Sequence, residues 1–330
     1  MKYLTQEQLN DYRQNGIVII ENVFTEEQVA NFREQFHDQL NNIGFNHEKL
    51  LNGEHKPDSN VRMKSDIANI FYSKWKMDIH LNNKVCGLME DLLLNTYGKG
   101  SNPKDLNYDE LFSHPFGDFN AINAYIDRVC YRLPDHIRTE NGLKMHLDRR
   151  PYRIDLNQIK KNNKKKAYKW RPIQSFVALT DHYGGESGGL KIVNGFHKKF
   201  NDYFKDKINL DDIDTGGEFY RMNTGHEKLI KECQPVIVPA GSLVCWDYRL
   251  PHSTCDKLIG YDSREVVYTG FIPQIKLNSK YILDQMQSIS NNKPPPAYDN
   301  GNDKKCDKDP NYNPFEIGLE SSYLTLPHNK

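Results

Sequence analysis

The stretch PAGSLVCWDYRLPH, residues 239–252, decides the fold that the sequence predicts. It contains a Pro-Ala-Gly turn, a short apolar strand over residues 242–247 and, after the strand, the histidine His252. Further short apolar segments, separated by glycine turns, lie at 124–133, 142–148, 173–180, 189–193, 235–238 and 265–272. Many short strands with glycine turns are typical of an antiparallel sandwich or barrel, a group that includes the jelly rolls. We therefore predict a mainly β core.

A His-x-Asp motif, His146-Leu147-Asp148, precedes His252 in the chain and can supply two metal ligands. Residues i and i+2 of a β-strand point to the same face, so His146 and Asp148 can bind one ion from a single strand. Together with His252 they make two histidines and one carboxylate, a set that leaves positions open on a non-heme Fe(II) ion for substrate and oxygen. His-x-Asp alone is a weak pattern, because many chains contain it by chance.

Arg264 follows His252 by twelve residues, a strand and a turn later. Its planar guanidinium group can bind a carboxylate through two parallel hydrogen bonds. An open iron site beside a carboxylate-binding arginine is what a 2-oxoglutarate-dependent oxygenase requires. The alternative is that Arg264 is a solvated residue at the start of a strand, which is the usual role of a lone arginine there.

Composition narrows the range of partners and compartments. The 330-residue chain has 44 basic and 44 acidic residues and no formal net charge, so nothing in its charge favours a nucleic-acid or membrane partner. No stretch approaches the roughly 18 consecutive apolar residues that span a bilayer, and the N-terminus has no apolar signal region. The six cysteines show no CxxC spacing, which fits a reducing compartment. We therefore expect a chain that is not exported and is cytoplasmic.

The N-terminal part of the sequence predicts helices that support the β core. Thr5 can cap a helix that ends at Asn15-Gly16, and the apolar residues 17–20 predict a short strand. Thr25 begins a capping box before a second helix, and helical spacing returns over residues 79–97.

The sequence predicts a single domain followed by a tail. We place the domain at residues 1–285, with its β core at about 124–275, because no internal repeat or second apolar core is visible. Residues 286–330 are polar, rich in Pro and Asp and aperiodic, so we expect a tail that is either disordered or extended over the surface.

Five pieces of the sequence, in order, resemble the phytanoyl-CoA dioxygenase family of Fe(II)/2-oxoglutarate oxygenases. They are LTQEQLNDYRQNGIVIIENVFTEEQVANFR at 4–33, HLD at 146–148, IQSFVALTD at 173–181, SGGLKIVNGFHK at 187–198 and PAGSLVCWDYRLPH at 239–252. The resemblance covers roughly residues 3–275. It implies a double-stranded β-helix, the jelly roll of the cupin type, with supporting N-terminal helices. Phe196 and Val177 depart from the family's pattern, and neither belongs to the metal motif.

The resemblance also implies roles for the metal motif and for the residues that follow it. His146, Asp148 and His252 would bind Fe(II). Arg264 would hold the distal carboxylate of the co-substrate 2-oxoglutarate, with help from the hydroxyl group of Thr254. The implied reaction uses O2, releases succinate and CO2, and hydroxylates an unactivated C–H bond of a small molecule.

Three further residues are candidates for contact with 2-oxoglutarate. Tyr131 and Arg132 fall near the place where relatives have a polar co-substrate contact, and strand alternation lets only one of them face inward. Gln174 lies on the same face of its segment as Phe176 and can line the pocket, or it can be a structural glutamine.

Alternatives remain open for the reaction and for the substrate. A zinc metallohydrolase could use the same triad, a binding module could use the scaffold without catalysis, and an oxygenase could act on a protein or a nucleic acid. The lysine-rich insert at 160–171 can bind the phosphates of a coenzyme A ester or of a nucleic acid, or it can be a solvated loop. No pocket residue decides among acyl-CoA esters, amino-acid-like metabolites and natural products.

Overall fold

A computed structural model describes most of the predicted domain. The described residues are 2–42, 44–54, 66–98, 101, 119–137, 142–151, 153–154, 169–207, 213–214, 220–299, 313 and 321–325. The helices are α1 Gln6–Asn15, α2 Glu26–Asn42, α3 His47–Leu51, α4 Lys74–His80, α5 Asn83–Thr96, α6 Phe200–Lys205, α7 Glu227–Glu232 and α8 Ser279–Ser290, with a 3-10 turn at Phe196–Lys198.

The strands of the described part are short, apart from two. They are β1 Ile17–Ile20, β2 Ile67–Ala68, β3 Ile122–Arg132, β4 His146–Leu147, β5 Arg153–Ile154, β6 Ile173–Ala178, β7 Leu190–Ile192, β8 Ile213–Asp214, β9 Tyr220–Arg221, β10 Gln234–Pro235, β11 Leu243–Asp247, β12 His252–Thr254 and β13 Arg264–Pro273.

Two antiparallel sheets form the centre of the fold. A six-stranded sheet has the order β1-β11-β6-β13-β3-β2, and a five-stranded sheet has the order β10-β7-β12-β4-β9. A separate parallel pair joins β5 and β8. The mainly β, antiparallel core predicted from the sequence is confirmed. The predicted strand at 142–148 is reduced to β4, because its partners β9 and β12 are themselves only two and three residues long.

Strand alternation gives the six-stranded sheet two different faces. In β11, Leu243 and Cys245 join the hydrophobic cluster that packs against the N-terminal helices. Val244 and Trp246 alternate with these two residues along the strand. They belong to a second hydrophobic cluster, which contains residues of the five-stranded sheet such as Leu147. One face therefore packs on helices and the other faces the second sheet, and the functional site lies on this second face.

The N-terminal segment belongs to the main sheet. Thr5 caps α1 as predicted, and the cap is a full capping box, because Gln8 N–H donates to the Thr5 side chain and Thr5 N–H donates to the Gln8 side chain. The helix ends at Gly16, whose φ of 75° suits glycine. β1 follows at once and pairs antiparallel with β11 as the edge strand of the six-stranded sheet.

The last helix crosses the predicted boundary between domain and tail. α8 continues to Ser290, so the boundary at 286 falls inside it. The Gln285 side chain accepts a hydrogen bond from Ile126 N–H at 2.8 Å and donates one to the Ala124 carbonyl at 2.9 Å, which attaches α8 to β3. Leu324 is buried as well. The polar composition of this region concealed these contacts, and residues 300–312, 314–320 and 326–330 lie outside the described part.

Within the described residues, each helix is too short or too polar to cross a membrane.

Candidate metal centre

The structure brings the three predicted metal ligands together. β12 pairs with β4 so that His252 lies directly opposite His146. His146 Nε2 is 3.3 Å from Asp148 Oδ1, and His252 Nε2 is 3.9 Å from the same oxygen. All three ligand atoms lie within 4.8 Å of one another. A metal ion with bonds of roughly 2.1 Å fits among donors at such separations.

Backbone carbonyls fix the protonation of both imidazole rings. Nδ1 of His146 is 2.7 Å from the carbonyl oxygen of Lys144, and Nδ1 of His252 is 2.9 Å from that of Leu250. A carbonyl oxygen only accepts, so each Nδ1 carries a proton and Nε2 is the nitrogen of each ring that can bind a metal. Outer hydrogen bonds of this kind orient metal-binding histidines and make them better donors.

The electrostatics favour the protonation states that bind a metal. Burial, together with the charge of His146, lowers the pKa of His252 to about 4, so this ring is neutral at pH 7. Burial tends to raise the pKa of Asp148, but the His146 hydrogen bond and the charge of His252 outweigh it and lower this pKa below its ordinary value. The neutral imidazole of His252 and the ionised carboxylate of Asp148 are thus in the states that bind a metal, and a donor set of two imidazoles and one carboxylate fits a divalent metal ion.

Gln174 supports the metal carboxylate. Its Nε2 donates a hydrogen bond to Asp148 Oδ2, the carboxylate oxygen farther from the two histidines. Its Oε1 is buried without a hydrogen-bond partner among the described residues, and the side chain lines the cavity. Gln174 therefore lies where it was predicted, and its observed contact is with a metal ligand.

A cavity of about 260 Å³ opens beside the triad. Its charged and polar lining comes from both sheets, and Phe176 and Trp246 form an aromatic wall with ring centroids 5.7 Å apart. Among the described lining residues are Asp127, Arg128, His146, Asp148, Arg171, Gln174, His252, Thr254, Arg264 and Tyr268.

Arg264 is buried in this cavity and forms no salt bridge with a described residue. Only 3% of the residue is exposed, and although burial tends to lower its pKa, the Cys130 thiol, the Tyr268 hydroxyl group and the more distant charge of Asp66 raise it above the ordinary value. Its Nη1 donates to Cys130 Sγ at 3.1 Å, while its Nε has no partner within the described part of the chain. Burial raises the pKa of the Cys130 thiol to about 11, so this partner is neutral at pH 7. A buried guanidinium group without a salt-bridge partner is costly, and an anion that binds it lowers this cost.

Thr254 lies on the same side of β12 as His252 and also lines the cavity. Its hydroxyl oxygen accepts a hydrogen bond from Leu143 N–H at 2.6 Å. The hydroxyl proton remains free to be donated to a ligand. Thr254 therefore lines the cavity from the same strand as the metal-ligand candidate His252.

Tyr131 and Arg132 do not line the cavity. Tyr131 faces the helical layer, where its hydroxyl group is 2.8 Å from Nδ1 of His47. Arg132 faces the other way, but it lies at the end of β3 and donates to the carbonyl oxygens of Cys255 and Asp256. The residue of this strand that contacts Arg264 is Cys130, which precedes Tyr131.

A β-bulge supplies cavity residues that the sequence analysis missed. Val267 pairs with Val129 and Thr269 pairs with Ile126, so Asp127 and Arg128 together lie opposite the single residue Tyr268. A bulge breaks strict alternation and can turn adjacent side chains toward a site. Both Asp127 and Arg128 line the cavity, together with Arg171 from the end of the lysine-rich insert. The only sequence sign was a charged Asp-Arg pair inside an apolar strand.

A buried ion pair holds the approach to His252. Arg249 donates to Asp247 through Nε at 2.9 Å and through Nη2 at 2.8 Å. The Tyr97 hydroxyl group also donates to Asp247, and Arg249 N–H donates to the same carboxylate. These contacts fix the turn between β11 and β12, which places His252 opposite His146.

A second group of metal-ligand types lies on the helical face of the main sheet. It consists of His37, His47 and Glu265. Both carboxylate oxygens of Glu265 are already occupied, since Arg33 Nε is 2.9 Å from Oε2 and His37 Nε2 is 2.7 Å from Oε1. The Ser263 hydroxyl group donates to Oε1 as well. We interpret this group as an ion-pair network between α2 and β13.

Several solved structures share this fold. GlcNAc Inducible Gene 2 (GIG2) of Candida albicans superposes with a TM-score of 0.66 at 18% identity, over 92% of this chain and 72% of that one. A hypothetical protein of Escherichia coli gives 0.63 at 17% identity, over 94% and 77%. The epimerase SnoN, solved with Fe3+ and alpha ketoglutarate, gives 0.50 at 15% identity, over 81% and 83%. No family model and no curated protein matches the sequence.

These comparisons define the fold of the chain. SnoN is crystallised with iron and alpha ketoglutarate, and the present chain has a His-Asp-His group of its own that can hold a metal ion. At identities of 18% or less, the likeness concerns the fold and leaves the chemistry to be argued from the side chains.

Proposed function

We propose that this protein is an Fe(II)- and 2-oxoglutarate-dependent dioxygenase that hydroxylates a small molecule. The observation that carries the proposal is the position of Arg264. A guanidinium group without a carboxylate partner among the described residues lines the same cavity as two imidazole nitrogens and a carboxylate oxygen that converge on one point. A dicarboxylate that bound the metal through one carboxylate could bind the Arg264 guanidinium group through the other.

The residues of the chain have distinct parts in this function. His146, Asp148 and His252 would hold Fe(II), which supplies oxidative decarboxylation of 2-oxoglutarate by O2 to succinate and CO2. Arg264 would bind the distal carboxylate of 2-oxoglutarate, and Thr254 would donate its hydroxyl proton to the same group. Each contact is a charge-assisted hydrogen bond in a buried site, where such bonds are strong.

Gln174 and the aromatic wall have supporting parts. Gln174 fixes Asp148 in one orientation through the hydrogen bond to Oδ2. Phe176 and Trp246 limit the access of water to the metal, which strengthens the electrostatic contacts inside the cavity. The protein thus provides position and exclusion of water, and the metal provides the oxidation chemistry.

A zinc hydrolase on the same triad is less well supported. Such an enzyme needs a general base near the open metal position. Among the described cavity residues the carboxylates are Asp148, a metal ligand, and Asp127. Asp127 contacts the guanidinium groups of Arg128 at 3.3 Å and Arg171 at 3.4 Å, and their charges offset the effect of burial and lower its pKa. A carboxylate held in this way is a weak base, and a hydrolase would give Arg264 no purpose.

The fold assignment is part of the proposal. Two antiparallel sheets with the metal ligands on facing short strands and a helical layer behind support a double-stranded β-helix of the phytanoyl-CoA dioxygenase type. Pro239-Ala240-Gly241 supports this reading, because the turn leads directly into β11 and the His252 approach. The lysines of the insert at 160–168 lie outside the described residues, so a role in binding phosphates stays a prediction.

The proposed function is tested by product formation. Purified protein supplied with Fe(II), 2-oxoglutarate and O2 should release succinate, at a rate that rises with the correct compound from a panel of small metabolites. Omission of Fe(II) or of O2 should stop the reaction. Zinc-dependent ester or amide hydrolysis that is lost in Asp148→Ala, with no succinate under any condition, would favour the hydrolase instead.

A further inference from the structure

We infer that the primary substrate carries one anionic oxygen group, a carboxylate or a phosphate, and that Arg171 binds it. The inference rests on the proposed function, because it takes the metal triad and Arg264 to be occupied by the metal and 2-oxoglutarate. The remaining ligand is then the primary substrate, and Arg171 would select it by its charge.

Arg171 is placed between the metal motif and the rest of the cavity. Its Nη2 is 3.5 Å from Asp148 Oδ2, and its Nη1 is 3.4 Å from Asp127 Oδ2. Both contacts are long for a charge-assisted hydrogen bond, which is usually about 2.7–2.9 Å. A guanidinium group has five N–H donors, so donors remain for a ligand. Because Arg171 contacts Asp148, a substrate whose anionic group binds Arg171 would have a nearby carbon atom, a few bonds along the substrate, beside the metal.

The neighbours of Arg171 hold it in place without neutralising the site. The guanidinium group stacks over the ring of Tyr125 at 4.6 Å. Asp127, its closest acid, is shared with Arg128, whose guanidinium group in turn stacks over Tyr298 at 4.3 Å. One carboxylate therefore serves two guanidinium groups, and the side chain of Arg171 keeps 16% of its surface exposed.

The charges of the cavity leave room for one more anion. The described lining contains three guanidinium groups, of Arg128, Arg171 and Arg264, against two carboxylates, of Asp127 and Asp148, which is a formal excess of one positive charge. A divalent metal and the dianion of 2-oxoglutarate cancel each other. The excess charge then remains, and a buried excess charge is unfavourable until a ligand of opposite sign binds.

The size of the cavity favours a small ligand. Pockets for drug-sized molecules are roughly 300–1,000 Å³, whereas this cavity has about 260 Å³ and must also hold 2-oxoglutarate. A coenzyme A ester is much larger, and its acyl chain carries no free carboxylate for Arg171. The geometry thus favours a small acid that is oxidised close to its anionic group.

The test uses matched probes of one chain length. Protein loaded with Zn(II) and saturating 2-oxoglutarate is titrated with butyrate, propylphosphonate, butylamine or butanol, and binding is followed by ligand-observed NMR. We expect butyrate or propylphosphonate to bind more tightly than the amine and the alcohol, and the preferred anion identifies a carboxylate or a phosphate as the natural group. Arg171→Gln should weaken binding of that anion about tenfold or more.

Two control variants make the result specific. Arg13→Gln removes a partly exposed arginine of α1, which donates to the Asn95 carbonyl and does not line the cavity, and should leave anion binding unchanged. Arg171→Lys keeps the charge and should retain part of the affinity that Arg171→Gln loses. Binding of 2-oxoglutarate should be the same in all of these variants, which also shows that they are folded.

The possible failures separate the two proposals. Absence of 2-oxoglutarate binding in the wild type would overturn the proposed function. If 2-oxoglutarate binds normally, three results would overturn only the inference about Arg171. These are that neither anion binds, that the alcohol binds as tightly as the anions, or that Arg171→Gln has no effect on anion binding. Displacement of butyrate by additional 2-oxoglutarate would also overturn it, because the probe would then occupy the co-substrate site.

Discussion

Arg264 and Glu265 are consecutive residues of β13 with opposite charges, and they face opposite sides of the six-stranded sheet. Glu265 faces the helices, is fully buried and is bound by Arg33, His37 and Ser263. Arg264 faces the cavity, is almost as deeply buried, and contacts the neutral thiol of Cys130. A salt-bridge network surrounds Glu265 and joins α2 to β13, whereas no described carboxylate lies within salt-bridge distance of Arg264. We therefore expect the helical face to contribute mainly to stability and the cavity face to binding.

The largest effect should come from the metal carboxylate on the cavity face. Asp148→Ala removes one of three ligands, so metal affinity and succinate formation should fall by more than about a hundredfold, beyond the usual effect of losing an outer contact. The fold should persist, because β4 and β12 pair through backbone hydrogen bonds that do not involve this side chain. Metal titration and circular dichroism measure the two quantities. Unchanged turnover in the variant would remove Asp148 from the metal centre.

The next effect separates binding from stability at Arg264. Without 2-oxoglutarate, Arg264→Met should leave the free energy of unfolding unchanged or raise it, since a buried and unpaired cation is replaced by an apolar side chain. Saturating 2-oxoglutarate, at a hundred times its Kd, should stabilise the wild type by about 2.7 kcal/mol and should stabilise the variant much less. Denaturant titration with and without 2-oxoglutarate measures this. A large loss of stability without 2-oxoglutarate would show that Arg264 is structural.

Glu265 should behave in the opposite way. Glu265→Gln leaves Arg33 and His37 without their carboxylate, and these side chains keep 25% and 20% exposure, so water compensates in part. We expect a loss of about 1–3 kcal/mol of unfolding free energy, less than for a fully buried pair. Affinity for 2-oxoglutarate should change little. If instead the variant lost 2-oxoglutarate binding and kept its stability, the assignment of the two faces would be reversed.

The smallest effect is the pH dependence of the helical face. Burial tends to raise the pKa of Glu265, but the His37 hydrogen bond and the charge of Arg33 lower it to about 2, against an ordinary value of 4.5. A lowered carboxyl pKa stabilises the fold above the ordinary value, and this contribution is lost as the pH falls toward the folded value. The stability difference between wild type and Glu265→Gln should therefore shrink from about pH 5 to pH 2. A difference independent of pH in denaturant titrations would contradict this.

Much of the site could be predicted because its residues have local signatures. His146 and Asp148 are two residues apart, so spacing alone indicated that they could bind one ion, although in the structure β4 ends at Leu147 and Asp148 follows it directly. The cap at Thr5 and the capping box at Thr25 likewise depend on residues three positions apart, and both are present.

The remainder depends on contacts that spacing does not encode. Tyr131 and Arg132 alternate as expected, but Arg132 lies at the end of β3 and binds the carbonyl oxygens of Cys255 and Asp256. Further along the same strand, the bulge brings Asp127 and Arg128 to the cavity, which alternation alone does not predict. The α8 helix was not predicted, and the domain boundary was placed inside it, because its attachment to β3 is made by a glutamine side chain in a polar stretch.

The central claim is that Arg264 and the metal triad bind 2-oxoglutarate together, and one titration tests it most directly. Protein loaded anaerobically with Fe(II) is titrated with 2-oxoglutarate, and the weak visible charge-transfer absorbance of the iron–2-oxoglutarate complex is recorded for wild type, Arg264→Met and Glu265→Gln. We predict a saturable absorbance with the same midpoint in wild type and Glu265→Gln, and a midpoint about ten- to a hundredfold higher in Arg264→Met. No absorbance in the wild type, or one midpoint for all three proteins, would contradict the account.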